Sequence, residues 1–291
     1  MRSFLFVPAD SIAKFRKAST GEADALILDL EDSVAPDAKD KAREMLAEML
    51  KAPRNRQQLF VRVNALDTGL SLTDLVSAMP HRPDGIVLPK SAHGDDVGKL
   101  AAWLDALEAA YDIEAGTTDI IAIVTETPES LFNLGSYKDA SPRLAGMMWG
   151  AEDLAAAFGA THNRTGDGFF AAPFLMARNL CLAGAAAAGV MAIDTVCTNI
   201  GDVEALLSEV REARRDGFGA KAVIHPSHVD PVNRAFTPTS EEVDWARRVA
   251  AAFTDEPAAG VIRIDGKMVD RPHQRQARKI LEAARSVRQR S

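Results

Sequence analysis

The stretch "LAGMMWGAEDLAAAFG", Leu144 to Gly159, carries two patterns end to end. An apolar run stops at Gly150, two acids follow at Glu152 and Asp153, and an alanine-rich helix-like segment starts at Leu154. An unbroken apolar run suits a strand buried on both faces, and a helix directly after it suits one unit of a parallel sheet. Seven further runs share this character: "FLFVP" from Phe4, "ALILDLED" from Ala25, "QLFVRVN" from Gln58, "DGIVLPK" from Asp84, "IIAIVTET" from Ile120, "MAIDTVC" from Met191 and "KAVIHP" from Lys221. Helix-like stretches such as "DAKDKAREMLAEMLK", "VGKLAAWLDALEAAY" and "DVEALLSEVREARRDG" separate most of them. Eight alternating units predict a (β/α)8 TIM barrel of the α/β class. A doubly wound open sheet is the alternative, but no Gly-rich dinucleotide fingerprint follows the first strand.

The composition agrees with that size of fold. A chain of 291 residues that is 47% hydrophobic suffices for one barrel and its core. A net charge of -7 argues against a nucleic-acid partner. Apolar runs fall short of the ~18 residues a membrane helix needs. "MRSFLFVPAD" lacks a signal-peptide cleavage pattern. Cys181 and Cys197 lie in apolar surroundings without metal-ligand spacing, so they read as buried, reduced thiols. A soluble, cytoplasmic protein is expected.

In a barrel, function collects at the C-terminal ends of the strands. Those ends carry Asp29, Glu31 and Asp32; Arg62 and Asn64; Lys90; Glu126; Glu152 and Asp153; Asp194; and His225. Glu126 and Asp153, at the ends of strands five and six, are placed to share a hard divalent cation such as Mg2+, which takes one or two protein carboxylates. No histidine accompanies them at short spacing, which disfavours Zn2+. Each also reads as a helix cap, Glu126 before Pro128 and Asp153 before Leu154. Arg62 stands in an otherwise apolar strand and needs an anionic partner. Either the acids of "DLED" hold it as a salt bridge, or it clamps a carboxylate or enolate. Lys90 reads as an ion pair with the same acids, and His225 as a hydrogen-bonded strand-end histidine.

These motifs in order, "RSFLFVPA", "DALILDLEDSV", "FVRVNALDTG", "DGIVLPK", "TETP", "GAEDLAAAFGA" and "AVIHPSHV", resemble the citrate lyase beta-subunit-like and malyl-CoA lyase group of the HpcH/HpaI aldolase-citrate lyase superfamily. The likeness runs from Arg2 to about Arg285. It implies a Mg2+-dependent carbon-carbon lyase (an oxo-acid lyase) on a (β/α)8 barrel, trimeric or a dimer of trimers. It implies Glu126 and Asp153 as metal ligands, with Glu126 also bordering the substrate, and Arg62 as the catalytic binder of the 2-oxo acid and enolate.

The C-terminal region predicts a second part. Residues 1–254 form the barrel and 255–291 an extension acting as a lid, with "DGKMVD" as a strand-turn-strand piece and a basic helix after it. By resemblance, Asp270 is a catalytic acid/base that closes over a neighbouring subunit's site; it also reads as the N-cap before Arg271-Pro272. The basic helix suits the phosphates of CoA, or is simply solvated. Phe169, Phe170 and Pro173 depart from the more polar pattern of the family, and their loop is expected to narrow the acid pocket or mark another substrate. The expected reaction is a Claisen-type cleavage, or formation, of malyl-CoA, citramalyl-CoA or citryl-CoA, with acetyl-CoA and a 2-oxo acid as the other side. The alternatives are a malyl-CoA thioesterase, a citrate lyase beta subunit acting on an acyl-carrier-bound thioester in a complex, and a non-catalytic binding protein.

Overall fold

The computed structural model describes residues 1–53, 55–257 and 259–290. Its first half contains β1 (Ser3–Pro8), α1 (Ile12–Ser19), β2 (Ala25–Asp29), α2 (Lys39–Lys51), β3 (Gln58–Arg62), α3 (Ser71–Ala78), β4 (Gly85–Leu88) and α4 (Gly94–Ala110). Then come β5 (Asp119–Ile123), β6 (Leu144–Met148), α5 (Glu152–Phe158), α6 (Ala172–Ala188), β7 (Met191–Asp194), α7 (Val203–Asp216), β8 (Ala220–Val223) and α8 (Val229–Phe236). The chain ends with α9 (Ser240–Asp255), β9 (Val261–Ile264), β10 (Lys267–Asp270) and α10 (Arg271–Arg290). Among the described residues, β1 to β8 close in sequence order into a parallel barrel. Closure pairs Ser3 with Lys221, and Lys221 N donates to the Arg2 carbonyl at 3.0 Å.

Side-chain parity explains both the apolar runs and the placement of the polar groups. Successive residues of a strand face opposite sides. Phe4, Ile27, Phe60, Val87, Ile121, Met148, Ile193 and Ala222 point inward and fill the barrel. Their neighbours Leu5, Leu26, Leu28, Val61, Ile86, Ala122, Met147 and Val223 point outward and pack under the helices. Two steps beyond Ile27 and Phe60, Asp29 and Arg62 keep the inward parity and face the mouth. Gly85 is required by the filling: a Cβ there would lie 2.4 Å from the Phe60 ring.

The segment after the barrel has its own small core. Val249 and Phe253 of α9 pack with Val269 of β10 and Ala277 of α10. β9 and β10 form an antiparallel hairpin turned by Asp265 and Gly266, both at positive φ. No helix among the described residues is long and apolar enough to cross a membrane.

Candidate active site

A cavity of about 340 Å³ opens at the C-terminal ends of the strands. Asp29, Asp32, Arg62, Glu126, Glu152 and Asp153 line it, over an apolar floor that includes Phe6, Ile123, Met148 and Val196. Of the strand-end residues, Glu31 and Lys90 do not line it but pair with Arg62 and Asp153, which do. Asn64, Asp194 and His225 are not brought there. Asn64 turns to Asp74, to which its side chain donates at 2.7 Å. Asp194 follows inward-facing Ile193, so parity sends it outward to Trp149 and Lys221. His225 caps the short turn after β8, its Nδ1 accepting from Ser227 N at 3.2 Å.

Arg62 is held as the salt-bridge reading expects. Its Nε and Nη2 donate to the two oxygens of Asp29, both at 2.7 Å. Nη1 lies 2.9 Å from Glu31 Oε2. That contact is ionic, because Glu31 Oε2 accepts no hydrogen bond. The guanidinium also lies over the Phe6 ring, 4.8 Å from its centroid. Burial alone would lower its pKa; Asp29 and Glu31 outweigh burial and hold it well above the usual arginine value. Lys90 pairs with Glu31, with Asp32 at 3.2 Å and with Asp153 at 3.4 Å.

Glu126 is the least comfortable group in the cavity. It is buried, and its Oε2 accepts the Lys90 backbone N–H at 2.6 Å. Lys90 offers that N–H from φ +51°, a left-handed conformation uncommon for a side-chain-bearing residue. On the other side Gly150 makes room, since a Cβ there would stand 2.8 Å from Glu126 Cγ. Burial first, then repulsion from Glu31 and Asp153, pushes the Glu126 carboxyl up to about 8. The cap readings do not describe either acid. The turn after Glu126 has no side-chain cap, and Asp153 lies inside the first turn of α5. Among the described residues no group of three or more His, Cys, Asp and Glu is arranged to hold a metal. Glu126 and Asp153 both line the cavity and could offer a cation two hard oxygen donors, with space left for other oxygens. That set fits Mg2+, which keeps several positions for water and substrate.

Sequence reasoning did not see the contributions of Gly150 and the Lys90 backbone. The glycine two residues before Glu152 was the available signal for the first. The loop with Phe169 and Phe170 corrects another expectation, because neither residue lines the cavity. Phe169 is exposed, and Phe170 packs edge-on behind Trp149, 4.9 Å between centroids. Pro173 opens α6, where its missing N–H costs nothing. Asp270 does not line the cavity either; its Oδ1 lies 2.5 Å from His273 Nδ1 at the start of α10. Cys181 and Cys197 are buried and free, as expected.

Comparison with known proteins matches residues 2–226 to the HpcH/HpaI aldolase/citrate lyase model. The chain belongs to the HpcH/HpaI aldolase/citrate lyase family. Residues 173–287 of this family member also match the C-C bond lyase model of the TIM-barrel fold, so it is an enzyme of the carbon-carbon lyase class. It is 34% identical over 288 residues to citrate lyase subunit beta of Haemophilus influenzae, covering 98% of this chain and 97% of the relative. It is 32% identical over 293 residues to (3S)-malyl-CoA thioesterase of Cereibacter sphaeroides, covering 98% and 95%. Among solved structures, CitE of Mycobacterium tuberculosis in complex with magnesium, acetoacetate and coenzyme A is similar, with a TM-score of 0.79, 35% identity and 97% of both chains covered.

Proposed function

We propose that this lyase-family enzyme is a Mg2+-dependent acyl-CoA lyase. It cleaves, or in reverse forms, a 3-hydroxy diacid CoA thioester such as malyl-CoA, citramalyl-CoA or citryl-CoA, with acetyl-CoA and a 2-oxo acid as the other side of a Claisen-type reaction. The observation that carries this reading is the buried Glu126, repelled by Glu31 and Asp153 in a cavity that also presents Arg62. Glu126 and Asp153 would hold a divalent cation, whose charge would relieve that repulsion. When bound, it supplies Lewis-acid stabilisation to the oxygens that gain charge. The magnesium and coenzyme A in the similar mycobacterial structure support the assignment.

The chain's own residues carry the remaining steps. Arg62, fixed by Asp29, places a permanent positive charge beside the acid's carboxylate and the developing enolate. The apolar floor keeps water from the reacting carbon. As the carbon-carbon bond breaks, the hydroxyl gives up its proton and its oxygen becomes the carbonyl of the 2-oxo acid. The bond's electron pair passes to the thioester's α-carbon, and the Asp270 carboxyl of a neighbouring copy delivers a proton there to complete the methyl group, so that protons balance overall. In the condensing direction the same carboxylate removes that proton. This assignment needs a homo-oligomer, a trimer or a dimer of trimers. The basic C-terminal helix then meets the CoA phosphates, and the enzyme works in the cytoplasm.

A thioesterase is the second reading, favoured by the full-length likeness to the Cereibacter protein. The test is incubation of purified protein with malyl-, citramalyl- and citryl-CoA, with Mg2+ or with chelator, followed by product identification. Chelator-sensitive release of acetyl-CoA and a 2-oxo acid is expected. Free CoA plus the hydroxy diacid, with no acetyl-CoA, establishes the thioesterase instead. Turnover only of an acyl-carrier-bound thioester establishes a subunit of a larger complex.

A further inference from the structure

Behind the cavity wall, six side chains form a closed ring. Trp149 Nε1 donates to Asp194 Oδ1 at 2.7 Å. Lys221 Nζ bridges Asp194 Oδ2 at 2.7 Å and Glu209 Oε2 at 3.2 Å. Glu209 Oε1 lies 2.7 Å from Arg164 Nη2. The Arg164 guanidinium lies 3.9 Å from the Phe170 ring centroid, and Phe170 meets Trp149 edge-on. The ring thus joins β6, β7, β8, α7 and the loop between α5 and α6. Its charges alternate from Asp194 through Lys221 and Glu209 to Arg164, so each buried charge has an opposite neighbour, as burial demands. Arg178 adds a further cation, 3.6 Å from Asp194.

The ring grips both flanks of α5. Trp149 stands just before that helix, and Arg164 and Phe170 stand on the loop just after it. Asn163 of the loop also donates to Glu152 Oε1 at 2.8 Å, next to Asp153. Gly150, against which Glu126 rests, follows Trp149 directly. The indole is thus tied through the backbone to Gly150 and α5, and through Phe170 to the loop that follows α5. We infer that Arg164 and Phe170 are positioning residues: through Trp149 they fix where Asp153 stands relative to Glu126, and so set the affinity of the cation site. This inference rests on the metal reading and extends it to residues that touch neither cation nor substrate.

The experiment uses Mn2+ as probe, with free ion counted by paramagnetic resonance, in protein without substrate. Arg164→Ala and Phe170→Leu alter a loop and leave the eight strands untouched, whereas Lys221→Met strands a buried acid and threatens the fold. Each loop variant should bind Mn2+ about 10-fold more weakly or worse, the scale of losing an outer support of a metal ligand. The double variant should be little worse than either single, because both break one ring. Arg164→Lys keeps the Glu209 ion pair without the flat stack and should fall between. In a Trp103→Phe, Trp245→Phe background, Mn2+ should shift Trp149 emission only while the ring is intact. Variants that bind Mn2+ like the parent, with only a lower Tm, overturn the inference and leave the metal reading standing. A parent protein that binds no Mn2+ overturns both.

Discussion

Glu126 makes the cavity sensitive to pH. Its carboxyl is raised from 4.5 to about 8 in the fold, so the metal-free fold is favoured when Glu126 carries its proton. That contribution is complete below about pH 4.5 and is lost as pH rises through about 8. In chelator, the Tm of the wild type should therefore fall between about pH 5 and 8, and Glu126→Gln should flatten that slope. The proton and the cation compete for the same oxygens, so apparent Mg2+ affinity should climb about 10-fold or more from pH 6.5 to 8.5, read by calorimetry. Glu126→Gln and Asp153→Asn should keep the fold and lose Mg2+-dependent turnover; full activity of either in chelator would end the ligand assignment. At Arg62, lysine keeps the charge but not the two-pronged grip on Asp29. Arg62→Lys should lower kcat by at least ~10-fold, the scale of a charge-assisted contact of ~1.5–3 kcal/mol. An unchanged kcat with a lower Tm would leave Arg62 a purely structural ion pair.

Single elements are stapled by polar groups as much as by apolar packing. Glu108, near the end of α4, accepts from Gly116 N at 2.7 Å, Thr118 N at 3.0 Å and Arg143 Nη1 at 2.8 Å. It thereby joins α4 to the starts of β5 and β6. Burial would raise its pKa, but the Arg143 and backbone donors outweigh burial and hold it at about 2. Its stabilising effect is present above 4.5 and is lost as pH falls through about 2. Glu108→Gln should cost about 3 kcal/mol near neutral pH, because Arg143 stays buried with its best partner uncharged. The deficit should shrink toward pH 2, as urea midpoints will show. All eight strands were readable because buried parallel strands write their apolar runs plainly. The direction of Asp194 was readable too, from alternation after Ile193, but counting polar strand ends ignored it. The left-handed Lys90 was not readable, since no glycine marks it. Phe170 showed only as an apolar residue in a loop; its partners Trp149 and Arg164 are neighbours in space that spacing does not reveal.

At the scale of the whole molecule, the proposed acid/base role of Asp270 depends on assembly. That residue ends the hairpin that packs with α9 and α10, and it does not line the cavity of its own chain. If it serves a neighbour, two inactive variants should complement each other. Co-expressed Arg62→Ala and Asp270→Ala chains that mix at random place an intact Arg62 and an intact Asp270 together in about a quarter of sites. Activity approaching that fraction supports the shared site. A dead mixture of chains shown to co-assemble assigns Asp270 to its own chain, and activity of Asp270→Ala alone reduces it to a helix cap.

The seam between β1 and β8 also governs how the protein is made. Ser3 leaves the ribosome 218 residues before its partner Lys221. Until then the growing sheet has two raw edges whose backbone groups invite pairing with any other strand. Chains arrested before β8 should therefore be sticky, dependent on chaperones and quick to aggregate, whatever the quality of the seven strands already synthesised.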